Sequence, residues 1–276
     1  MKNILLPTDF SENSYHAMDY AMRYFSGRDV NFVILNIQKS SEYIMDDLMT
    51  ASPGSSIHEA ISADNKSKLN EVVERYSTNY AHEAFNFEGI FDFDVFIDAI
   101  AQTVDSRNID LIVMGTNGAS GAKEAIFGSN TLKVIRQIEC PVLAIPENYQ
   151  FRQLKKMLFT VINEKYSSVE SLRPFKEFMD LYTPELHILH ILEDKSITVN
   201  EEGTSLHSTF EGMDVKHHVL KGIPAPMAIH SFTQLIEVDM HSILIEQKPF
   251  LDRFIQGSDT SKISYVTKVP LLVMHD

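Results

Sequence analysis

Tryptophan is absent from this chain, and cysteine occurs once, at Cys140. A lone thiol closes no internal disulfide, so the fold must be held by its core and not by covalent staples. The setting Ile138-Glu139-Cys140-Pro141-Val142 is that of a small buried hydrophobe. Positive charge is also scarce: 24 lysines and arginines face 38 aspartates and glutamates, a formal net charge of −14. That balance repels nucleic acid and anionic membrane surfaces, so neither is expected as a partner, and any anionic ligand must be held by local backbone dipoles. No stretch approaches the roughly 20 apolar residues of a membrane span. The opening MKNILLPTDFS reaches Asp9 after too short an apolar run for a signal peptide, and the expected location is the cytoplasm.

What is present is an internal repeat. KNILLPTDFSENS near the start has a counterpart in KKMLFTVINEKYS from Lys155, and VNFVILNIQ (Val30 to Gln38) has one in ELHILHILE (Glu185 to Glu193). FEGIFDF is echoed by LKGIPAP, setting Gly89-Ile90 against Gly222-Ile223, and Gly128 to Pro141 corresponds to Gly257 to Pro270. A shared order of landmarks on this scale is the mark of duplication. The halves are read as residues 1–147 and 155–276, joined by a linker at 148–154 within the polar stretch Pro146 to Lys156.

Within the first half, short apolar runs alternate with amphipathic stretches. Strands are predicted at Ile4–Pro7, Phe32–Ile37, Ala84–Phe87, Leu111–Met114 and Val142–Ile145, and helices at Ser14–Tyr24, Asn65–Ala81, Val95–Val104 and Thr131–Gln137. This alternation predicts an α/β chain of two tandem Rossmann-like domains. Each is a five-stranded parallel sheet with helices on both faces. Such sheets bind ligands beyond the carboxyl ends of the strands, where strand order reverses. Thr8-Asp9 and the loop after the fourth strand fall there. Tyr43 to Asn65 reads as an insertion between second strand and second helix, either a surface excursion or a lid.

The loop GTNGASGAKEAIFGSNT, Gly115 to Thr131, concentrates four of the chain's few glycines. Glycines let successive N–H groups converge on an anion, and the following helix start adds further donors. Ser129 and Thr131 offer hydroxyls, and Lys123 offers a cation for outer phosphates or points into solvent. A purely structural glycine turn is the alternative. No G-K-[ST] follows the glycines, and the first glycine pair has the wrong spacing for a dinucleotide fingerprint.

Gly115-x2-Gly118-x9-Gly128-Ser129, with ILLPTDFS at the start and ECPVLAIP at the end of the first half, resembles the universal stress protein family. The resemblance extends over essentially the whole chain as a tandem pair. It implies a five-stranded domain that binds ATP, with Mg2+, and that pairs with a second domain through its last strand, here Val142–Ile145 and Leu271–Met274. It assigns Asp9 to the ribose or adenine side, backbone groups of Ile37 to the adenine, and Pro7 and Thr8 to the nucleoside pocket. Gly115, Gly118, Gly128, Ser129 and Thr131 would hold the phosphates.

The second half departs from the pattern. Ile162 stands where Asp9 stands, Thr160-Val161 replaces Pro7-Thr8, and Glu246 is expected at the position of Gly115, where a carboxylate would repel phosphate. Gly257-Ser258 and Thr260 persist as a turn and cap, so one nucleotide site per chain is expected. No metal site is expected. His187 and His190 point to opposite faces of a strand, His217 and His218 are adjacent rather than facing so that a zinc site there needs partners the sequence does not identify, and Asp92, Asp94 and Asp98 suit a solvated loop and helix start. No catalytic constellation can be placed near the loop. The expectation is an ATP-binding sensor or stress-response regulator with an unknown protein partner and a possible homodimer. A slow ATPase or phosphotransferase, and a nucleotide-free interaction module, are the alternatives.

Overall fold

The computed structural model describes residues 2–38, 57–116, 127–162, 172–194, 210, 214–245 and 267–275, with the side chains of 57–61 excepted. The first half runs β1 (Asn3–Thr8), α1 (Glu12–Tyr24), β2 (Val30–Ile37), α2 (Ile57–Asn79), β3 (Phe85–Asp92), α3 (Phe96–Arg107), β4 (Leu111–Gly115), α4 (Ser129–Gln137) and β5 (Val142–Ile145). The second half gives β6 (Lys156–Ile162), α5 (Arg173–Tyr182), β7 (Glu185–Leu192), β8 (Val215–Lys221), α6 (Ala225–Leu235), β9 (Met240–Ile245) and β10 (Leu271–His275). The central strands β1, β4 and β5 are apolar almost throughout and buried on both faces, as a helix-covered parallel sheet demands.

All ten strands form one sheet, in the order β3-β2-β1-β4-β5-β10-β9-β6-β7-β8. Each half is parallel within itself and carries the same strand order. The halves meet where β10 pairs antiparallel with β5, Leu271 against Ala144, Leu272 against Leu143 and Val273 against Val142. Leu143 and Leu272 are counterparts in the repeat and face each other, so a local twofold axis passes through them. One apolar core covers each face of the sheet across both halves. Ile4, Tyr24, Phe32, Tyr76, Phe159 and Phe178 lie in one, and Leu5, Ile112, Val134, Ile229 and Val273 in the other.

The residues at 148–154 are not a loose tether. Tyr149 and Phe151 pack on Tyr20 of α1, with ring centroids 6.2 and 5.3 Å apart, and Tyr149 donates its hydroxyl to Asp239 O at 2.9 Å. Further ties cross between the halves. Arg28 donates to Leu181 O at 3.2 Å, Tyr182 donates to Tyr24 O, and His275 Nε2 lies 2.7 Å from Ile135 O.

Ladder registers correct three alignments made from sequence. Asn3 pairs with Asn31 and the matching Lys156 with Glu185, so Glu185 is the counterpart of Asn31 and not of Val30. Phe32 and Leu186 are then counterparts, as are their partners Phe87 and Val215, so His217 and not Gly222 is the counterpart of Gly89. Leu111 lies beside Ile4, and Met240 beside the matching Met157. The place of Gly115 is therefore taken by Leu244, with Glu246 two residues further along. Sequence alone anchored these alignments on single glycines and strand ends, whereas the hydrogen-bonded neighbours fix them.

Candidate functional site

Strand order reverses in the first half between β1 and β4, and the carboxyl ends of these strands form the crevice. Pro7 and Thr8 end β1 opposite Leu35 and Asn36 of β2. Thr8 is 7% exposed, and its hydroxyl lies 2.9 Å from that of Ser14. Beyond it the chain makes a tight turn into α1. Phe10 adopts φ of 60°, and its N–H donates to Thr8 Oγ1 at 3.0 Å. Ser11 N–H donates to Asp9 Oδ1 at 3.0 Å, and the Ser11 hydroxyl caps α1 by accepting from Ser14 N–H at 3.2 Å. A non-glycine residue at positive φ is uncommon and is held here by these bonds. The turn fixes Asp9 as an exposed carboxylate at the mouth of the crevice.

Ile37 ends β2, and the next N–H, that of Gln38, donates to Asp92 O of β3 at 2.9 Å. Gly115 ends β4 against α1. A Cβ built there would come within 2.6 Å of Asn13 Nδ2, and Asn13 is 6% exposed. Any larger residue at 115 would therefore force the Asn13 amide to shift. Thr116 follows, fully buried, its N–H donating to Ile145 O at 2.9 Å.

The far end of the loop returns to the same place. Gly128 N–H donates to Thr116 O at 2.5 Å, and Thr131 Oγ1 donates to Gly115 O at 2.8 Å. Thr131 is 3% exposed. Its hydroxyl proton is thus committed to closing the loop, while its main-chain N–H belongs to the leading donors of α4. Ser129 is exposed at the first position of α4, and Gly128 precedes it with φ of −60°. The first turn of α4 has no side-chain cap and no acidic residue, in contrast to the self-capped α1. Its leading N–H groups have no intrahelical acceptor and point out of the helix end. Gly118 and Lys123, and most of Tyr43 to Asn65, lie outside the described residues.

The structure thus gathers Pro7, Thr8, Asp9, Gly115, Gly128, Ser129 and Thr131 around one crevice, with Ile37 on the neighbouring strand. Sequence reasoning missed Asn13, Ser14, Asn36 and Thr116. Their residue types carry no motif, and only the packing of α1 and β2 against the strand ends reveals them.

The second half has a different polar pattern. Ile162 follows Val161 at the end of β6, and Thr160 Oγ1 lies 2.8 Å from Nε2 of His241, which has no exposed surface. Burial pulls the His241 imidazole down to about 3. His187 and His190 lie on opposite faces, and they are the neighbours of His218 and His217 that the sequence does not identify. His187 Nδ1 lies 3.0 Å from His218 Nε2, with ring planes 5° apart, while His190 packs by His217 at 6.1 Å. The cause is that β8 runs beside β7, so residues distant in sequence become diagonal neighbours. Burial, first, and the neighbouring imidazoles lower the His218 and His190 pKa values. Asp94 accepts from Val95 N–H at 2.7 Å and from Gln102 Nε2 at 3.1 Å at the start of α3. Among the described residues no three His, Cys, Asp or Glu side chains form a metal-sized group, and no helix is long and apolar enough to cross a membrane.

The model of the universal stress protein family matches residues 1–146. A universal stress protein of Methanocaldococcus jannaschii, MJ0577, is 26% identical over 153 residues, spanning 52% of this chain and 94% of its own. A universal stress protein structure from Archaeoglobus fulgidus aligns with TM-score 0.69 at 20% identity, over 99% of this chain and 98% of its own. A putative universal stress protein from Pseudomonas aeruginosa aligns with TM-score 0.61 at 13% identity, covering 100% of this chain and 93% of its own. These two likenesses extend the shared fold over both halves. The chain belongs to the universal stress protein family.

Proposed function

We propose that this chain is an ATP-binding sensor or stress-response regulator of the cytoplasm, with one nucleotide site, in its first half, and with Mg2+ accompanying the nucleotide. The observation that carries the reading is the open start of α4. Among the described residues its leading N–H groups have no side-chain cap, its first turn carries no acidic residue, and two hydrogen bonds hold it against the end of β4. In a chain of net charge −14, such a cluster of backbone donors is the kind of place where a phosphate can be held. The phosphate oxygens of the nucleotide accept from these donors. The Asp9 carboxylate suits ribose hydroxyls, the backbone of Ile37 suits the edge of the base, and Gly115, Gly118, Gly128 and Ser129 line the phosphate side. The Thr131 hydroxyl closes the loop, and its main-chain N–H stands with the other leading donors on the phosphate side. A protein partner reads the nucleotide-bound state.

The second half is proposed to bind no ATP, because Ile162 and Leu244 replace Asp9 and Gly115. Isothermal titration of nucleotide-stripped protein with Mg-ATP tests both parts. The expected stoichiometry is one per chain, with affinity falling at least tenfold in Asp9→Ala. Two sites per chain would overturn the reading of the second half. Absence of binding by the native protein would leave an interaction module.

A further inference from the structure

We infer that Asn36 is a positioning residue for the nucleoside end of the crevice, setting the distance between Asp9 and Ile37 without itself touching the nucleotide. The inference rests on the nucleotide reading above and adds to it a residue that no motif marks. Asn36 is the last residue of β2 in register with β1, paired with Thr8, and it is 5% exposed. Its Nδ2 donates to Thr8 O at 2.8 Å. The two residues joined by this bond each immediately precede a proposed nucleoside contact, Asp9 on one strand and Ile37 on the other.

The strands need such a tie at this level. Past Ile37 the chain follows β3, since Gln38 N–H donates to Asp92 O, while past Thr8 it turns away into α1. Parallel strands that diverge open the gap in which a base and ribose can sit. The Asn36 amide spans the mouth of that gap from below and fixes its width. Thr8 is held from the other side as well, its hydroxyl contacting Ser14 Oγ and accepting from Phe10 N–H. A displacement of Thr8 O would therefore carry Asp9 with it through the planar peptide unit they share. Among the described residues Asn36 Oδ1 is buried without a hydrogen-bond partner. A buried polar atom left in this state is unfavourable, so packing alone does not account for an asparagine here. The donor half of the amide is the part with a defined task.

Two variants separate positioning from mere support of the fold. Asn36→Leu keeps the shape and removes the donor. Asn36→Asp keeps the shape and can donate to Thr8 O only while its carboxyl is protonated. Affinities for adenosine and for ATP are measured by titration calorimetry from pH 5 to 8.5, beside the melting temperature of each ligand-free protein.

One lost hydrogen bond corresponds to roughly a threefold to tenfold change. Asn36→Leu is expected to weaken adenosine and ATP by the same factor in that range, leaving the ATP-to-adenosine ratio at the native value. Asn36→Asp is expected to bind near the native level at low pH and to lose affinity as pH rises, over a range where the native protein changes little. Native-like affinities for both ligands in both variants, while the native protein binds ATP, would overturn the positioning role alone. So would a loss confined to ATP, or one that tracks the fall in melting temperature with no pH profile in Asn36→Asp. If the native protein binds neither adenosine nor ATP, the nucleotide reading and this inference fall together.

Discussion

His241 is a neutral imidazole near the start of β9, with no surface exposed and its Nε2 against the Thr160 hydroxyl. Its first-half counterpart is Ile112, so the second half carries a titratable group where the first keeps a hydrocarbon. In the unfolded chain this histidine takes up a proton near 6.5, whereas in the folded chain it resists protonation down to about 3. Folding therefore competes with proton uptake throughout that window. Stability contributed by His241 is full above pH 6.5 and declines as pH falls, by at most about 1.4 kcal/mol per pH unit. Urea unfolding at pH 7, 5.5 and 4.5 measures the slope. His241→Ile should flatten it relative to the native protein, and an unchanged slope would remove His241 as its source.

At the scale of elements, the two halves share a device at the amino ends of their strands. Asp110 Oδ2, just before β4, accepts from Lys2 N–H at 2.7 Å and Asn3 N–H at 2.9 Å. Asp239 Oδ2, just before β9, accepts from Lys155 and Lys156 N–H at 2.9 Å each. One carboxylate thus fixes two successive donors at the start of the neighbouring strand and so sets its register. Asp239→Ala should cost about 1–3 kcal/mol in chemical unfolding and speed hydrogen exchange at the start of β6. A change below about 0.5 kcal/mol would reduce the clamp to a surface contact.

This scale also shows where sequence reading succeeds and where it stops. The central strands and α1, α3 and α4 are legible because apolar period and flanking polar residues agree locally. β3 reaches Asp92, beyond the predicted Phe87, because as an edge strand it carries exposed polar residues and Gly89, which weaken the apolar signal. The chemical kinds gathered at the crevice, a carboxylate, glycines and hydroxyls, were legible as a motif. The direction of the Thr131 hydroxyl, the tie from Asn36 and the meeting of His187 with His218 were not. Each depends on which strand lies beside which, and no local pattern encodes that.

Over the whole molecule, both cores run unbroken beneath the seam between β5 and β10, and aromatic residues from α1, α5 and the joining segment interlock across it. The two halves should therefore unfold together, in one calorimetric transition whose van't Hoff and calorimetric enthalpies agree. Leu272→Asp, which buries a charge on the local twofold axis, should lower the melting temperature of the entire chain without splitting the transition. Two resolved transitions would show the halves to be energetically separate.

The antiparallel seam turns the second half end for end, so the two sets of carboxyl strand ends lie at opposite ends of the sheet. In a dimer of identical chains with this geometry, every substitution is imposed on both crevices at once. Joining the halves in one polypeptide lifts that restriction. Isoleucine can stand at position 162 and leucine at 244 while Asp9 and Gly115 stay untouched at the other end. One crevice is thereby free to change its chemistry without disturbing its twin, while both still share a single folding unit.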